Sequence, residues 1–205
     1  YLTTGWKYVW PHGSAPVEAA ARFVRQTELD VVALCEVEGG SRRSRGVDQA
    51  ALLSAATPLE ACTFFPTLVV GERVKQGNAV CTRFPLRPVA NHHLPGIGEP
   101  RFVSEAAIRV GAADVHLFVT HLSLERKVRM PQIHHLADVV RSAPGPTVLA
   151  GDFNVSEEAE LNLLVEADLE KARSAATFPS WKPKKRLDYL FLSRHFEVVD
   201  SFAFH

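Results

Sequence analysis

Cysteine is scarce in this 205-residue chain: Cys35, Cys62 and Cys81 are the only three, and no two form a Cys-x-x-Cys pair. That scarcity excludes a disulfide-built scaffold and a zinc ribbon, and it predicts thiols that stay reduced. Long apolar runs are also missing, since none reaches the roughly 18–20 residues of a membrane helix. No secretory leader pattern opens the sequence. Net charge is absent as well: 23 basic and 23 acidic side chains cancel, which argues against coating nucleic acid through bulk charge. The expectation is a cytoplasmic, monomeric protein. With 46% apolar and 22% charged residues the composition is neither disordered, collagen-like nor coiled coil. The length suits one domain over 1–205 that buries about two-thirds of its unfolded surface.

The charges that are present are uneven. Arg42, Arg43 and Arg45 form one basic cluster, Arg73 and Lys75 a second, and Lys182, Lys184, Lys185 and Arg186 a third. Glu157, Glu158, Glu160, Glu166, Asp168 and Glu170 oppose them in a stretch read as helical. Solvated faces are the plain reading of any one cluster.

Periodicity predicts a helix from Pro16 to Leu29, then a doubly buried strand at Val31–Val37 closed by Gly39-Gly40. A second helix is expected over Val47–Ala56, stopped by Pro58. Short strands are expected at Cys62–Val70, Asn78–Arg83, Phe102–Val110 and Val115–Thr120. Lys127–Arg141 reads as a helix with Pro131 in its first turn. A strand at Thr147–Ala150, a helix near Glu157–Ala167, and strands at Leu187–Leu192 and Phe196–Phe204 complete the pattern. Strands that follow one another without helices between them exclude a simple doubly wound sheet and favour two sheets with helices outside.

Several strands end on polar groups that are costly to bury alone. Glu36 lies inside an apolar run, His121 follows Val115–Thr120, and Asp152 and Asn154 follow Val148-Leu149-Ala150-Gly151. A spacing of two would keep Asp152 and Asn154 on one side of an extended segment. Asp188 instead begins its strand, so it meets the others at one sheet edge only if that strand runs antiparallel. Each residue alone also has a plain structural reading as an edge residue, a loop histidine, or a turn or cap.

Together, Asp30–Val37 (DVVALCEV), Gly77–Pro85 (GNAVCTRFP), Val119–Leu122 (VTHL), Gly151–Asn154 (GDFN) and Thr177–Ser193 (TFPSWKPKKRLDYLFLS) resemble the endonuclease/exonuclease/phosphatase superfamily. The segments occur in the family's order and span nearly the whole chain. The resemblance implies an α/β fold, a four-layer sandwich of two mixed, mainly antiparallel β-sheets face to face with helices outside. It implies hydrolysis of a phosphodiester or phosphomonoester with Mg2+, or Mn2+, as cofactor. The substrate would be a nucleic acid, a phospholipid head group or a small molecule. By the family pattern Glu36 is the metal ligand, Asp152 orients or deprotonates the attacking water, and Asn154 holds a phosphate oxygen. His121 would contact the phosphate or protonate the leaving oxygen, and Asp188 would orient a further histidine. Asn78, Arg101, Trp181 and Arg186 would line the substrate site, and Arg129 and Gln132 would support it.

Two family motifs, an early T-x-N and a late Ser-Asp-His, have no counterpart between Tyr1 and His205. His205 is read as the end of the last strand rather than the catalytic histidine. A catalytically degenerate binding domain of the same fold is the alternative. His92-His93 and His134-His135 lack a zinc-site pattern, and Trp6, Tyr8 and Trp10 are read as a packing clasp. Cys35 and Cys81 are read as small core residues.

Overall fold

The computed structural model describes residues 15–155, 157–173, 175–179 and 181–203. Trp6, Tyr8, Trp10 and His205 lie outside them. The chain divides into two compact units, one running to Arg87 and the other beginning at Pro88. The fold class is the expected one, with α-helices and two β-sheets of three and six strands.

In the first unit helix α1 (Ala15–Thr27) leads to β1 (Val31–Glu38), α2 (Gln49–Ala55), β2 (Ala61–Val70) and β3 (Val74–Thr82). The strands form a wholly antiparallel sheet in the order β1-β3-β2. The helical spacing of Val17, Ala21 and Val24 puts them on one buried stripe of α1, in a core shared with Ala50 and Leu53 of α2. Asp48 caps α2 by accepting the Ala51 N–H at 3.0 Å. The expectation that Val31–Val37 is buried on both faces is corrected. As an edge strand β1 is half-buried from Val31 to Cys35, because only one side of it has a hydrogen-bonded neighbour.

The reduced-thiol expectation is corrected too. Cys62 and Cys81 are directly opposite in the β2·β3 register, 4.1 Å apart at Cα, and are joined as a disulfide, while Cys35 is free. Strand pairing juxtaposed two residues that are 19 apart in sequence.

The second sheet has the order β4-β5-β6-β7-β9-β8. Its strands are β4 (Leu86–Leu94), β5 (Arg101–Val110), β6 (Ala113–His121), β7 (Thr147–Asp152), β8 (Leu169–Lys171) and β9 (Asp188–Ser193). Strands β5 and β6 form a hairpin around Gly111-Ala112, with Gly111 at φ 59°. Strands β6 and β7 are parallel, joined through helix α3 (Arg126–Arg141), and β9 is antiparallel to β7. Ile133, Leu136, Ala137 and Val140 of α3 share a core with Leu94, Val103, Phe118, Leu149 and Phe191 from five strands.

Four boundaries differ from the sequence reading. Pro131 lies in the second turn of α3, which starts at Arg126. Glu157–Ala167 divides into a 3-10 turn (Glu158–Leu161) and a short helix α4 (Asn162–Glu166). Strand β4 escaped notice because Pro88 and exposed Arg87 and Val89 disguise it, features that an edge strand tolerates. No strand forms over the described residues 196–203, where Val199 is 94% exposed; β8 occupies the position beside β9 instead. Among the described residues no helix is long and apolar enough to cross a membrane.

Candidate active site

In the first unit Glu36 and Asn78 come together at an irregularity. The β1·β3 register shifts between Leu34↔Ala79 and Val37↔Gly77, so Cys35 and Glu36 bulge opposite Asn78. Glu36 sits at the bulge with φ 58°, and its side chain is exposed. Bulges re-aim side chains, and here the bulge turns a carboxylate out of an otherwise half-buried strand. The Glu36 carbonyl accepts from Gln76 Nε2 at 3.3 Å, which pins the bulged peptide. Asn78 is 2% exposed.

The buried acid of this segment is Glu38, which sequence reasoning passed over. It accepts from Ser41 Oγ at 2.8 Å and pairs with the buried guanidinium of Arg43. The first basic cluster is therefore partly structural, because Arg43 is consumed by Glu38 and Arg42 pairs with Glu72 at 2.6 Å. In the second cluster Lys75 lies over the Phe64 ring, 5.6 Å from its centroid.

In the second unit strand register assembles the remaining polar residues. Parallel pairing sets His121 opposite Asp152, and antiparallel pairing sets Asp152 opposite Asp188. The antiparallel run of the last strand, which the shared edge required, is present. His121 Nε2 is 3.7 Å from Asp152 Oδ2. Asp152 and Asp188 stand directly opposite one another in the β7·β9 ladder. Glu36 does not share this edge, since its strand belongs to the other sheet.

Asp152 Oδ1 accepts the Asn154 N–H at 2.9 Å, an Asx-type turn that orients the carboxylate. Asn154 was expected on the same side of an extended segment. Its φ of 52° ends the extension instead, and Nδ2 donates to the Leu122 carbonyl at 2.9 Å. This ties the end of β7 to the residue after His121.

The loop following His121 has its polar backbone satisfied group by group. Leu122 N donates to the Asp152 carbonyl at 2.9 Å and Ser123 N to Gln132 Oε1 at 2.9 Å. Arg129 Nη1 donates to the carbonyls of Ser123 and Leu124 at 3.0 and 2.8 Å. Arg129 is buried and makes three further bonds, at 3.0–3.2 Å, to buried Glu160. Arg129 and Gln132 support the loop from α3. Glu160, counted with the acidic face in the sequence, is the anion that makes burial of Arg129 tolerable.

The substrate-lining expectations fare unevenly. The Arg101 guanidinium is directed at His121 Nδ1, 2.9 Å away, and at Glu99, 3.5 Å away. Arg186 stacks over Tyr189 at 5.5 Å and pairs with Glu158 at 3.1 Å. Hydrogen bonding to Lys171 is the largest of the effects holding the Glu158 carboxyl below its usual range, with the charges of Lys171 and Arg186 adding to it. Burial pushes the Tyr189 hydroxyl up; its ring packs on Phe153 and Phe191. Trp181 is 83% exposed beside exposed Lys182, Lys184 and Lys185, on a loop closed by the Phe178↔Lys185 bridge.

Among the described residues no group of three or more His, Cys, Asp and Glu side chains forms a metal cage. The donor chemistry still fits magnesium, which is held through one or two carboxylates and keeps several waters rather than sitting in an all-protein cage. The solvent-facing carboxylate of Glu36 is a donor of that kind.

Solved structures share this fold. An endonuclease/exonuclease/phosphatase family protein from Leptotrichia buccalis is similar over 87% of this chain and 80% of its own, with TM-score 0.68 and 18% identity. TDP2 from Caenorhabditis elegans is similar over 86% of this chain and 58% of its own, with TM-score 0.65 and 19% identity. A mannosyl-6-phosphatase from Bacteroides thetaiotaomicron is similar over 87% and 76%, with TM-score 0.62 and 15% identity. The chain thus shares the α/β fold of these structures. No curated protein matches the chain by sequence. The model of the Endonuclease/Exonuclease/phosphatase family matches residues 12–205, and the chain belongs to that family.

Proposed function

We propose that this chain is a magnesium-dependent phosphoester hydrolase of the phosphodiesterase type, in which water attacks phosphorus in line with the leaving oxygen. The observation that carries the reading is the row of His121, Asp152 and Asp188 on three neighbouring strands, with Asn154 turned in at the end of β7. Glu36 would hold the cation. When bound, it supplies positive charge against the phosphoryl oxygens and lowers the barrier electrostatically.

The protein's own groups would do the positioning. Asp152, oriented by the Asn154 N–H, accepts a hydrogen bond from the attacking water and takes up its proton. Asn154 spends one amide N–H on the Leu122 carbonyl and keeps the second for a phosphate oxygen. His121 faces the same edge through Nε2. Asp188 stands level with Asp152, where it would orient a histidine contributed from elsewhere in the polypeptide. Asn78, Trp181 and Arg186 would contact the rest of the substrate, Arg186 after release from Glu158. Overall neutrality favours a small or lipid-head-group diester over nucleic acid.

Hydrolysis of bis(p-nitrophenyl) phosphate with added magnesium or manganese tests this reading. The protein should release nitrophenolate, lose the activity to chelator, and lose about 10²-fold or more in kcat on Asp152→Ala. Activity that survives the substitution removes Asp152 from the mechanism. A wild-type protein inactive with either ion overturns the hydrolase reading.

A further inference from the structure

The contact between Arg101 and His121 decides which ring nitrogen carries the imidazole proton. Arg101 Nη1 lies 2.9 Å from His121 Nδ1. A guanidinium has only N–H donors, no acceptor, and keeps its charge throughout the accessible pH range. Nδ1 must therefore present its lone pair, and the proton of the neutral ring is on Nε2. That nitrogen faces Asp152 Oδ2 at 3.7 Å.

The arrangement is built rather than incidental. Val103 pairs with Thr120, so β5 brings its first residue, Arg101, alongside the end of β6. Glu99 Oε2 stands 3.5 Å from Arg101 Nη2, and the Arg101 and His121 side chains are only 12% and 13% exposed.

We propose that Arg101 is a positioning residue that locks His121 as a neutral Nε2–H donor, so that His121 contacts a phosphate oxygen and does not protonate the leaving oxygen. The proposal rests on the hydrolase reading and chooses between the two roles open to His121 there. To serve as a general acid from imidazolium, the ring would need a second proton on Nδ1. That N–H would then confront the Arg101 N–H, donor against donor and cation beside cation. To serve from the neutral ring it would have to become imidazolate next to the Asp152 carboxylate. Both are unfavourable. In the hydrolysis the water oxygen bonds to phosphorus as the bond from phosphorus to the leaving oxygen breaks, and the leaving oxygen takes its proton from solvent. Among the described residues, the charged groups near the ring include Arg101 from β5, Glu99 just before it, Asp152 from β7, and Asp188 level with Asp152 on β9. The acidic groups alone would favour imidazolium, and the Arg101 donor is what prevents it.

Nitrogen-15 NMR of the histidine-labelled full chain without metal reads the tautomer directly. In the wild type, His121 should show an unprotonated Nδ1 and a protonated Nε2, with no titration across roughly pH 5 to 8. Arg101→Met should free the ring to titrate, and Arg101→Lys, which retains a cationic donor, should restore the locked tautomer. Matching thermal midpoints for the three proteins show that the fold is intact. In bis(p-nitrophenyl) phosphate hydrolysis, His121→Gln keeps an N–H near the Nε2 position and should lose about 10-fold, whereas His121→Ala should lose about 10²–10³-fold. Arg101→Met should add a second acid-side limb to the rate profile, within roughly pH 5 to 8, beside the one that protonation of Asp152 sets at lower pH in the wild type. A wild-type His121 that carries a proton on Nδ1, or that titrates as it does in Arg101→Met, overturns the proposal. So does a Gln variant as inactive as the Ala variant. The spectrum requires no turnover, so an inactive protein with a locked tautomer would sink the hydrolase reading while upholding the positioning role.

Discussion

At Gly151 strand β7 leaves no room for a side chain beside β6, and replacing it with alanine perturbs the shared edge directly. Its φ is +152°, and an added Cβ would lie 1.9 Å from the Thr120 carbonyl oxygen, 2.9 Å from its carbon and 3.0 Å from its nitrogen. Carbon and oxygen ordinarily approach no closer than about 3.3 Å, so the strands must part by more than an ångström or the Thr120↔Gly151 pairing must break. The neighbour is backbone within a ladder and cannot rotate away. Overpacking of this kind costs about 1–3 kcal/mol, and the backbone conformation adds about 1 kcal/mol for a non-glycine residue. A destabilisation near 3 kcal/mol lowers the melting temperature of a chain this size by about 6–12 °C. Because Gly151 lies between the Thr120–His121 and Asp152–Asn154 segments, the same strain should displace Asp152 from His121 and lower hydrolysis. Urea denaturation of Gly151→Ala beside Gly145→Ala provides the assay. A Cβ at Gly145 would meet only the Asp114 carbonyl oxygen at 3.4 Å, so that variant should lie within about 0.5 kcal/mol of wild type. Equal midpoints for the two variants would refute the claimed closeness of the β6·β7 pairing.

Three further outcomes are expected. Glu160→Gln leaves the Arg129 guanidinium buried without its anion, so stability should fall by about 3–5 kcal/mol in urea unfolding, and hydrolysis should decline as the Ser123 and Leu124 carbonyls lose their support; a change under about 1 kcal/mol would show the pair to be dispensable. The unreduced, denatured protein should yield a single reactive thiol, Cys35, and three after reduction. Cys62→Ser should cost about 3 kcal/mol, given the 19-residue separation of the bonded pair, and three thiols before reduction would dissolve the disulfide.

The chain's elements were largely legible because their causes are local. The Val17, Ala21, Val24 stripe, the apolar runs of β1, β5, β6 and β7, and the Gly-Asp-x-Asn corner state their periods and turns within a few residues. The same local grammar misled at 196–203, where apolar residues suggest a strand but β8 takes the available edge. It also hid β4 behind Pro88, because a sheet edge tolerates what a central strand excludes. Primary structure therefore determined which residue types are present, their order, and the oxygen and imidazole donors suited to phosphoester chemistry.

Only the tertiary structure decided which of those groups meet. Register set His121, Asp152 and Asp188 in one row and Cys62 against Cys81. The bulge turned Glu36 outward, burial converted Arg43 from an apparent surface charge into a structural pair, and Glu160 supplied the buried anion for Arg129. The reason is physical. Helical and strand periods are properties of neighbouring residues, whereas ladder register and the pairing of buried charges depend on segments dozens of residues apart. Their alignment is selected by the packing of the whole core, and no local window of sequence contains it.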